Sequence, residues 1–170
     1  IWHTQGSGKT ALVYFSLKNL IDFYKSKKII SKYYFIVDRI DLLKQASKEF
    51  RSRGLIVHNI DSKEEFSKDI KSTKAIHNNL GKDEITVVNI QKFKDDPNVI
   101  NKNEYNIDIQ RIYFLDEVHR SYNPKGSFLA NLEVSDPKAI KIGLTGTPLL
   151  GKNIKSRDLF GNYIHKYFYN

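Results

Sequence analysis

Gln5-Gly6-Ser7-Gly8-Lys9-Thr10 lies directly after an apolar Ile1-Trp2 and directly before an amphipathic stretch that begins at Ala11. An apolar strand, a glycine-rich turn and a helix, in that order, form the setting a phosphate-binding loop requires. Gly6 and Gly8 permit backbone torsions that residues with a Cβ resist, and they let the main chain approach an anion closely. Successive N–H groups then form an anion nest at a helix N-terminus, where the helix dipole adds attraction. In that frame the loop from Gln5 to Thr10 is expected to cradle the phosphates of a nucleotide. Lys9 reaches the β- and γ-phosphates, and the Thr10 hydroxyl ligates Mg2+. The full loop spacing places a glycine at position 3, where this chain has His3; its imidazole reads as a packing residue beside the loop. A dinucleotide site fits less well, because the second residue after Gly8 is Thr10 and G-x-G-x-x-G is not formed.

Outward from the loop, apolar runs alternate with amphipathic stretches. Residues 11–24 carry Leu12, Phe15, Leu17, Leu20, Ile21 and Tyr24 at three- and four-residue spacings, which predicts a helix. Residues 41–50, with Leu42, Leu43, Ala46 and Phe50, predict a second. Residues 33–37 are a continuous apolar run that predicts a buried strand, residues 85–90, 112–115 and 140–144 predict three more strands, and 55–57 predict a short additional one. Residues 62–80 are charged and weakly amphipathic, which predicts a helix followed by a loop. Residues 95–106, rich in Asp, Asn and Pro, predict a long surface loop. Strands separated by helices imply βαβ units, and therefore an α/β fold with a mostly parallel sheet covered on both faces.

Composition bounds the function. A chain of 170 residues suits one domain with a sizeable core. With 28 Lys+Arg against 19 Asp+Glu, the formal net charge is +9, the balance expected of a protein that meets phosphate-rich partners. A lysine-rich proteome gives the same excess, and the heavy use of Lys, Ile, Asn and Tyr points to an AT-rich, bacterial genome. The absence of Cys excludes disulfides and thiolate metal sites. The apolar runs are too short to cross a bilayer, so no membrane partner and a cytoplasmic location are expected. The chain opens at Ile1 and contains no Met, and it reads as an excerpt of a longer polypeptide.

Two further motifs sit at strand ends. Ile112-Tyr113-Phe114-Leu115 runs into Asp116-Glu117-Val118-His119-Arg120. An acidic residue at the carboxyl end of a buried strand faces Mg2+ in phosphoryl-transfer sites of this type. Asp116 would then hold the metal through water, because Mg2+ keeps much of its hydration shell, although in isolation the pair also reads as a cap on the following segment. Glu117 is the residue that orients or deprotonates the attacking water. Gly143-Leu144-Thr145-Gly146-Thr147-Pro148 closes the last predicted strand. Small hydroxyl residues on a tight turn can exchange hydrogen bonds when the γ-phosphate leaves, linking nucleotide state to motion. In isolation the same string reads as an ordinary turn.

Taken in order, Gln-Gly-Ser-Gly-Lys-Thr, Asp-Glu-Val-His-Arg and Leu-Thr-Gly-Thr-Pro resemble motifs I, II and III of superfamily 2 helicases and translocases. The resemblance spans nearly the whole chain. Residues 1–5, Val37-Asp38-Arg39 with Leu42, Asn89-Ile90-Gln91-Lys92-Phe93 and Phe160-Gly161-Asn162-Tyr163-Ile164-His165-Lys166-Tyr167 are similar to the motor of the R (restriction endonuclease) subunit of type I restriction-modification enzymes. His3 departs from the general loop but fits those strings.

The resemblance implies a P-loop NTPase with a RecA-like three-layer domain over residues 1–160, the first of two. Residues 161–170 then start the connection to a second motor domain that this chain lacks. Lys9, Asp116, Glu117, His119 and Arg120 would be catalytic, with His119 and Arg120 coupling hydrolysis to movement. Thr145, Gly146 and Thr147 would couple from motif III. Arg39, Gln91 and Lys92 would touch duplex DNA through its phosphates, which positions a protein without reading bases. ATP and Mg2+ would be the ligands, and the methylation and specificity subunits of a restriction complex the protein partners. No nuclease motif is found in this sequence. Another superfamily 2 helicase without nuclease activity, and a nucleotide-dependent switch without motor activity, remain as alternatives. The switch has no need of a water-activating Glu117.

Such motors hydrolyse ATP between two domains, the second contributing an arginine finger. The 170-residue fragment alone is therefore expected to bind Mg-ATP in an equilibrium titration but to turn it over slowly or not at all. Robust DNA-stimulated phosphate release by the fragment would contradict this.

Overall fold

The computed structural model describes residues 1–3, 8–72, 81–90, 109–117, 132, 136–147 and 160–167. Its elements are β1 (Trp2–His3), α1 (Lys9–Ser26), β2 (Ile30–Val37), α2 (Ile40–Ser52), β3 (Ile56–Ile60), α3 (Lys63–Lys71), β4 (Glu84–Asn89), β5 (Ile109–Leu115), β6 (Ile140–Gly143) and β7 (Lys166–Tyr167). Every helix and strand expected within these residues is present, with ends shifted by a few residues. β7 is additional, and it forms inside the segment expected to begin a connection. The expected loop at 95–106 lies outside the described residues.

Helix faces follow from residue spacing. α1 buries Val13, Leu17, Ile21 and Tyr24, a stripe at steps of three and four. Phe15, expected on that stripe, instead stands 58% exposed, because the buried line runs through Val13 and turns Phe15 outward. The Arg53 guanidinium covers its ring at 6.0 Å and that of Tyr14 at 5.4 Å. α2 buries Leu43, Ala46, Ser47 and Phe50. α3 begins at Ser62, whose hydroxyl accepts from the Glu65 N–H at 3.2 Å, the first half of a capping box.

Five strands form one all-parallel sheet in the order β3-β4-β2-β5-β6. β1 and β7 pair in parallel beside it. The Thr145 N–H donates to Ile1 O at 3.1 Å and a bridge joins Trp2 to Thr145, so this small pair continues from the β6 side. Alternate residues of the central strands face two cores. On one face Tyr33, Phe35, Val37, Ile112 and Phe114 meet α1 and α2, with Phe35 and Phe50 edge to face at 5.5 Å. On the other, Tyr34, Ile36, Tyr113 and Leu115 meet Phe66 and Ile70 of α3. The residues buried on both faces explain why these strands read as unbroken apolar runs.

The amino end of the central strands carries buried charge. Lys32 Nζ lies 3.0 Å from an Asp69 carboxylate oxygen and donates to the Asp69 carbonyl at 2.8 Å. The Tyr34 hydroxyl donates to the same carboxylate at 2.9 Å, and Arg111 donates to Ile70 O at 2.9 Å. Together these bonds pin the end of α3 to the sheet. Removing one partner from a buried pair leaves an uncompensated charge. Asp69→Ala in the intact polypeptide should therefore lower stability by about 3–5 kcal/mol, read from the urea midpoint. Replacing the trio together (Lys32→Met, Tyr34→Phe, Asp69→Leu) should recover most of that loss; failure to do so would show that packing, and not charge, dominates there.

Candidate active site

Parallel register brings the carboxyl ends of the strands into line. Val37 pairs with Asn89, Ile36 with Leu115 and Leu115 with Gly143. The ladder continues one residue further: Ile90 N–H donates to Val37 O, Asp116 N–H to Ile36 O and Leu144 N–H to Leu115 O, all at 2.8–2.9 Å. Asp38, Asp116 and Thr145 follow directly from these ends and are buried. Ligands of open parallel sheets bind at this edge.

α1 begins at the same edge. Gly8 has φ 76° and ψ 33°, a left-handed conformation that glycine adopts without cost. A Cβ there would meet only Ala11 Cβ at 3.9 Å, so torsion, not space, selects glycine. α1 has no side-chain cap and no acidic residue in its first turn, whereas α3 has Ser62, Glu64 and Glu65 at its start. The first N–H groups of an 18-residue helix are thus left to an anion. Lys9 and Thr10 occupy its first two positions. Lys9 Nζ lies 3.1 Å from Glu117 Oε1, bridging α1 to the end of β5 with both side chains largely shielded.

Asp116 is the most perturbed group of the edge. Burial pushes its carboxyl up to about 6; the Lys9 ammonium opposes that shift, and the Glu117 and Asp38 carboxylates add to it. Its Oδ1 is buried with no hydrogen-bond partner. A shielded anionic oxygen left without a donor suits a hard cation, and Mg2+ takes few protein ligands because it keeps water and substrate phosphates. Asp116, with Thr10 on the facing helix start, therefore fits Mg2+. Among the described residues no cluster of three or more His, Cys, Asp or Glu competes for that role. Glu117 adopts φ 49°, unusual for a residue with a Cβ, and such conformations concentrate at functional sites.

The third motif is fastened to the strand that feeds the loop. Thr145 is buried, and its hydroxyl accepts from the Thr147 N–H at 3.1 Å. The Gly146 carbonyl accepts from the Trp2 indole N–H at 3.3 Å. Lys9, Thr10, Asp116, Glu117, Thr145, Gly146 and Thr147 thus stand where the strand ends, α1 and β1 converge. Gln5, Gly6, Ser7, Gln91, Lys92, His119 and Arg120 lie outside the described residues. Arg39 is exposed at the N-cap of α2, with its guanidinium on the Asp41 carboxylate. Two residues gain roles the sequence did not suggest. Asp38 adds charge to the acid pair, and an acidic residue straight after the 33–37 run repeats the signal that singled out Asp116. Trp2 reads as a merely apolar residue, although a shielded indole N–H generally finds an acceptor.

The raised Asp116 value has a stability consequence. The folded protein holds the proton more tightly than the unfolded chain, so ionised Asp116 costs stability. That cost is absent below about pH 4, grows as pH rises toward 6, and is complete above it. Without nucleotide, Asp116→Asn should therefore unfold at higher urea than wild type at about pH 7.5, by about 2–3 kcal/mol. The gap should close by about pH 4, and equal midpoints near neutral pH would contradict the burial argument.

Comparison with known proteins agrees with this geometry. The family described as SWI2/SNF2 ATPase matches residues 1–170. A putative type I restriction enzyme MjaVIIP endonuclease subunit from Methanocaldococcus jannaschii is 48% identical over 50 residues, covering 29% of this chain and 4% of that protein. The Pyrococcus furiosus Hef helicase domain superposes with a TM-score of 0.60 at 20% identity, covering 98% of this chain and 34% of that one. A nuclease-deletion mutant of the Type ISP restriction-modification enzyme LlaGI, in complex with a DNA substrate mimic, gives 0.50 at 17% identity, covering 93% of this chain and 16% of that one. Both structural likenesses bear on the fold, and they bear out the expected RecA-like α/β domain. This chain spans a small part of each relative's length. With the family matched from end to end and the loop lysine and acid pair at one sheet edge, the chain belongs to the SWI2/SNF2 ATPase family.

Proposed function

We propose that this ATPase motor domain is the nucleotide-binding half of a duplex DNA translocase, the motor of a type I restriction endonuclease R subunit. The observation that carries the ATPase chemistry is the meeting of Lys9 with Glu117 beside the partnerless Asp116 oxygen. The restriction setting is supported by the 48% identity to the Methanocaldococcus jannaschii protein. The +9 charge suits a phosphate-rich partner. In that setting a second motor domain of the same polypeptide completes the site, methylation and specificity subunits are the partners, and the complex works in the bacterial cytoplasm. Among the described residues no helix is long and apolar enough to cross a membrane.

Each residue has a distinct task. Gly8 and the start of α1 receive phosphate oxygens, and Lys9, which holds Glu117 until phosphate arrives, binds them. Asp116 and Thr10 would hold Mg2+, which when bound would offset phosphate charge. Glu117 orients water and takes its proton. The Thr145–Thr147 turn, bonded to β1, couples phosphate loss to movement. Arg39, Gln91 and Lys92 contact the DNA backbone, and His119 and Arg120 couple turnover to movement.

The family match and the Hef-like fold equally favour a second reading, a helicase or translocase without nuclease activity. The intact polypeptide separates the two. With methylation and specificity subunits added, the restriction motor cleaves duplex DNA only with ATP, and Lys9→Ala abolishes both turnover and cleavage. DNA-stimulated turnover without cleavage would select the second reading. Glu117→Gln should slow turnover by roughly 10²- to 10⁴-fold while nucleotide affinity stays within severalfold; little change in turnover would favour a nucleotide switch over a motor.

A further inference from the structure

Trp2 stands where three parts of the molecule meet. β1 leads from it toward the loop that ends at Gly8. On one side its main chain bridges to Thr145, and its indole N–H donates to the Gly146 carbonyl at 3.3 Å. On the other side its N–H donates to His165 O at 2.9 Å, in register with Lys166 of β7. Its ring lies 5.7 Å from Tyr163, and the Lys166 ammonium sits 5.8 Å from the Trp2 ring and 4.9 Å from that of Tyr163. The same neighbourhood is tight at β6, where a Cβ on Gly143 would meet the Phe160 ring at 3.0 Å.

We propose that Trp2 is a positioning residue for ATP hydrolysis, using its indole N–H to hold the Thr145–Thr147 turn in register with the strand that feeds the phosphate loop. The inference rests on the reading of this site as one that turns over ATP. A packing role needs only a large ring, and Tyr163 and Lys166 pack against a ring of any chemistry. The N–H bond is directional, and its acceptor is the carbonyl between the two threonines of the coupling turn. Thr145 N–H to Ile1 O fastens the start of that turn to β1, and Thr147 N–H to the Thr145 hydroxyl closes it internally. The indole fastens its middle to the same strand. A shift of β1 when phosphate enters or leaves the loop is thereby passed to the turn as a rigid displacement.

The test is Trp2→Phe in the intact polypeptide, with duplex DNA present. It reads kcat and KM for ATP, affinity for a fluorescent non-hydrolysable ATP analogue, and Tm. The substitution keeps an aromatic ring in place and removes the donor. The expected result is a kcat about three- to tenfold lower, the scale of one hydrogen bond, with analogue affinity within twofold and Tm nearly unchanged. An unchanged kcat overturns the proposal, as does a kcat loss that only tracks weaker analogue binding. If Trp2→Phe lowers Tm sharply, replacement of Trp2 by benzothienylalanine decides, because that side chain keeps the bicyclic shape and replaces N–H by sulfur. The same kcat loss then supports the proposal, and wild-type kcat overturns it. If wild type hydrolyses ATP without DNA stimulation, the translocase reading fails, and the Trp2 comparison is made on basal turnover. If wild type does not hydrolyse ATP at all, both fall.

Discussion

A carboxylate held out of water at the end of the apolar run Ile112 to Leu115 organises this domain. β5 runs between β2 and β6 in strict parallel register, with cores on both faces, and delivers Asp116 to the carboxyl edge without a hydrogen-bond donor for Oδ1. Burial of an unpartnered anion is costly unless a cation offsets it. The nearby compensation is Lys9, and the placement of Lys9 follows from the left-handed Gly8 that starts α1. The strand, the loop glycine and the helix start are therefore one electrostatic arrangement.

The opposite edge of the same sheet meets the same problem with a different outcome. There Lys32 and Arg111 are buried like Asp116, yet the Asp69 and Asp136 carboxylates, the Tyr34 hydroxyl and the last carbonyls of α3 surround them. Burial pushes the Lys32 ammonium below its ordinary value, while Asp69 opposes the shift. At the amino edge, Lys32 and Arg111 each face a carboxylate of the protein itself, although Arg111 Nε is also buried without a hydrogen-bond partner. At the carboxyl edge, charge is left incomplete and awaits a ligand.

The fold was legible because its signals are local. Buried parallel strands are apolar on both faces, so residues 33–37, 85–90 and 112–115 stood out, while 140–144, with Ile140 exposed and Lys141 in the run, was marked by its apolar alternation. Lys9, Thr10, Asp116 and Glu117 were legible because loop and acid pair each lie at a strand end. What escaped depended on tertiary pairing. β7 is two residues long and exists by pairing Lys166 with Trp2, at the other end of the sequence, and no periodicity announces such a contact. Phe15 was misplaced because α1 tolerates apolar residues on two adjacent lines, and the sheet alone selects which is buried. The Trp2 donor was missed because an indole flanking an apolar strand reads as core, and its acceptor is a backbone carbonyl that carries no sequence signature.

The Lys9–Glu117 contact gives the site its sense of direction. At 3.1 Å, with both side chains shielded, the pair neutralises the two groups that phosphate and water most need. In the proposed reading, phosphate oxygens entering the loop would compete with Glu117 for the Lys9 ammonium, so nucleotide binding and release of the base would be the same exchange. Once Lys9 lets go, Glu117 stands beside the ionised Asp116, a like-charge arrangement that only a cation relieves. Binding of phosphate without metal would thus leave two carboxylates in opposition, while metal and phosphate together satisfy Asp116, Lys9 and the α1 N-terminus at once. In the proposed reading the base would be available when both have arrived and would be recaptured by Lys9 when they leave, tying the readiness of the site to the complete substrate through one ion pair.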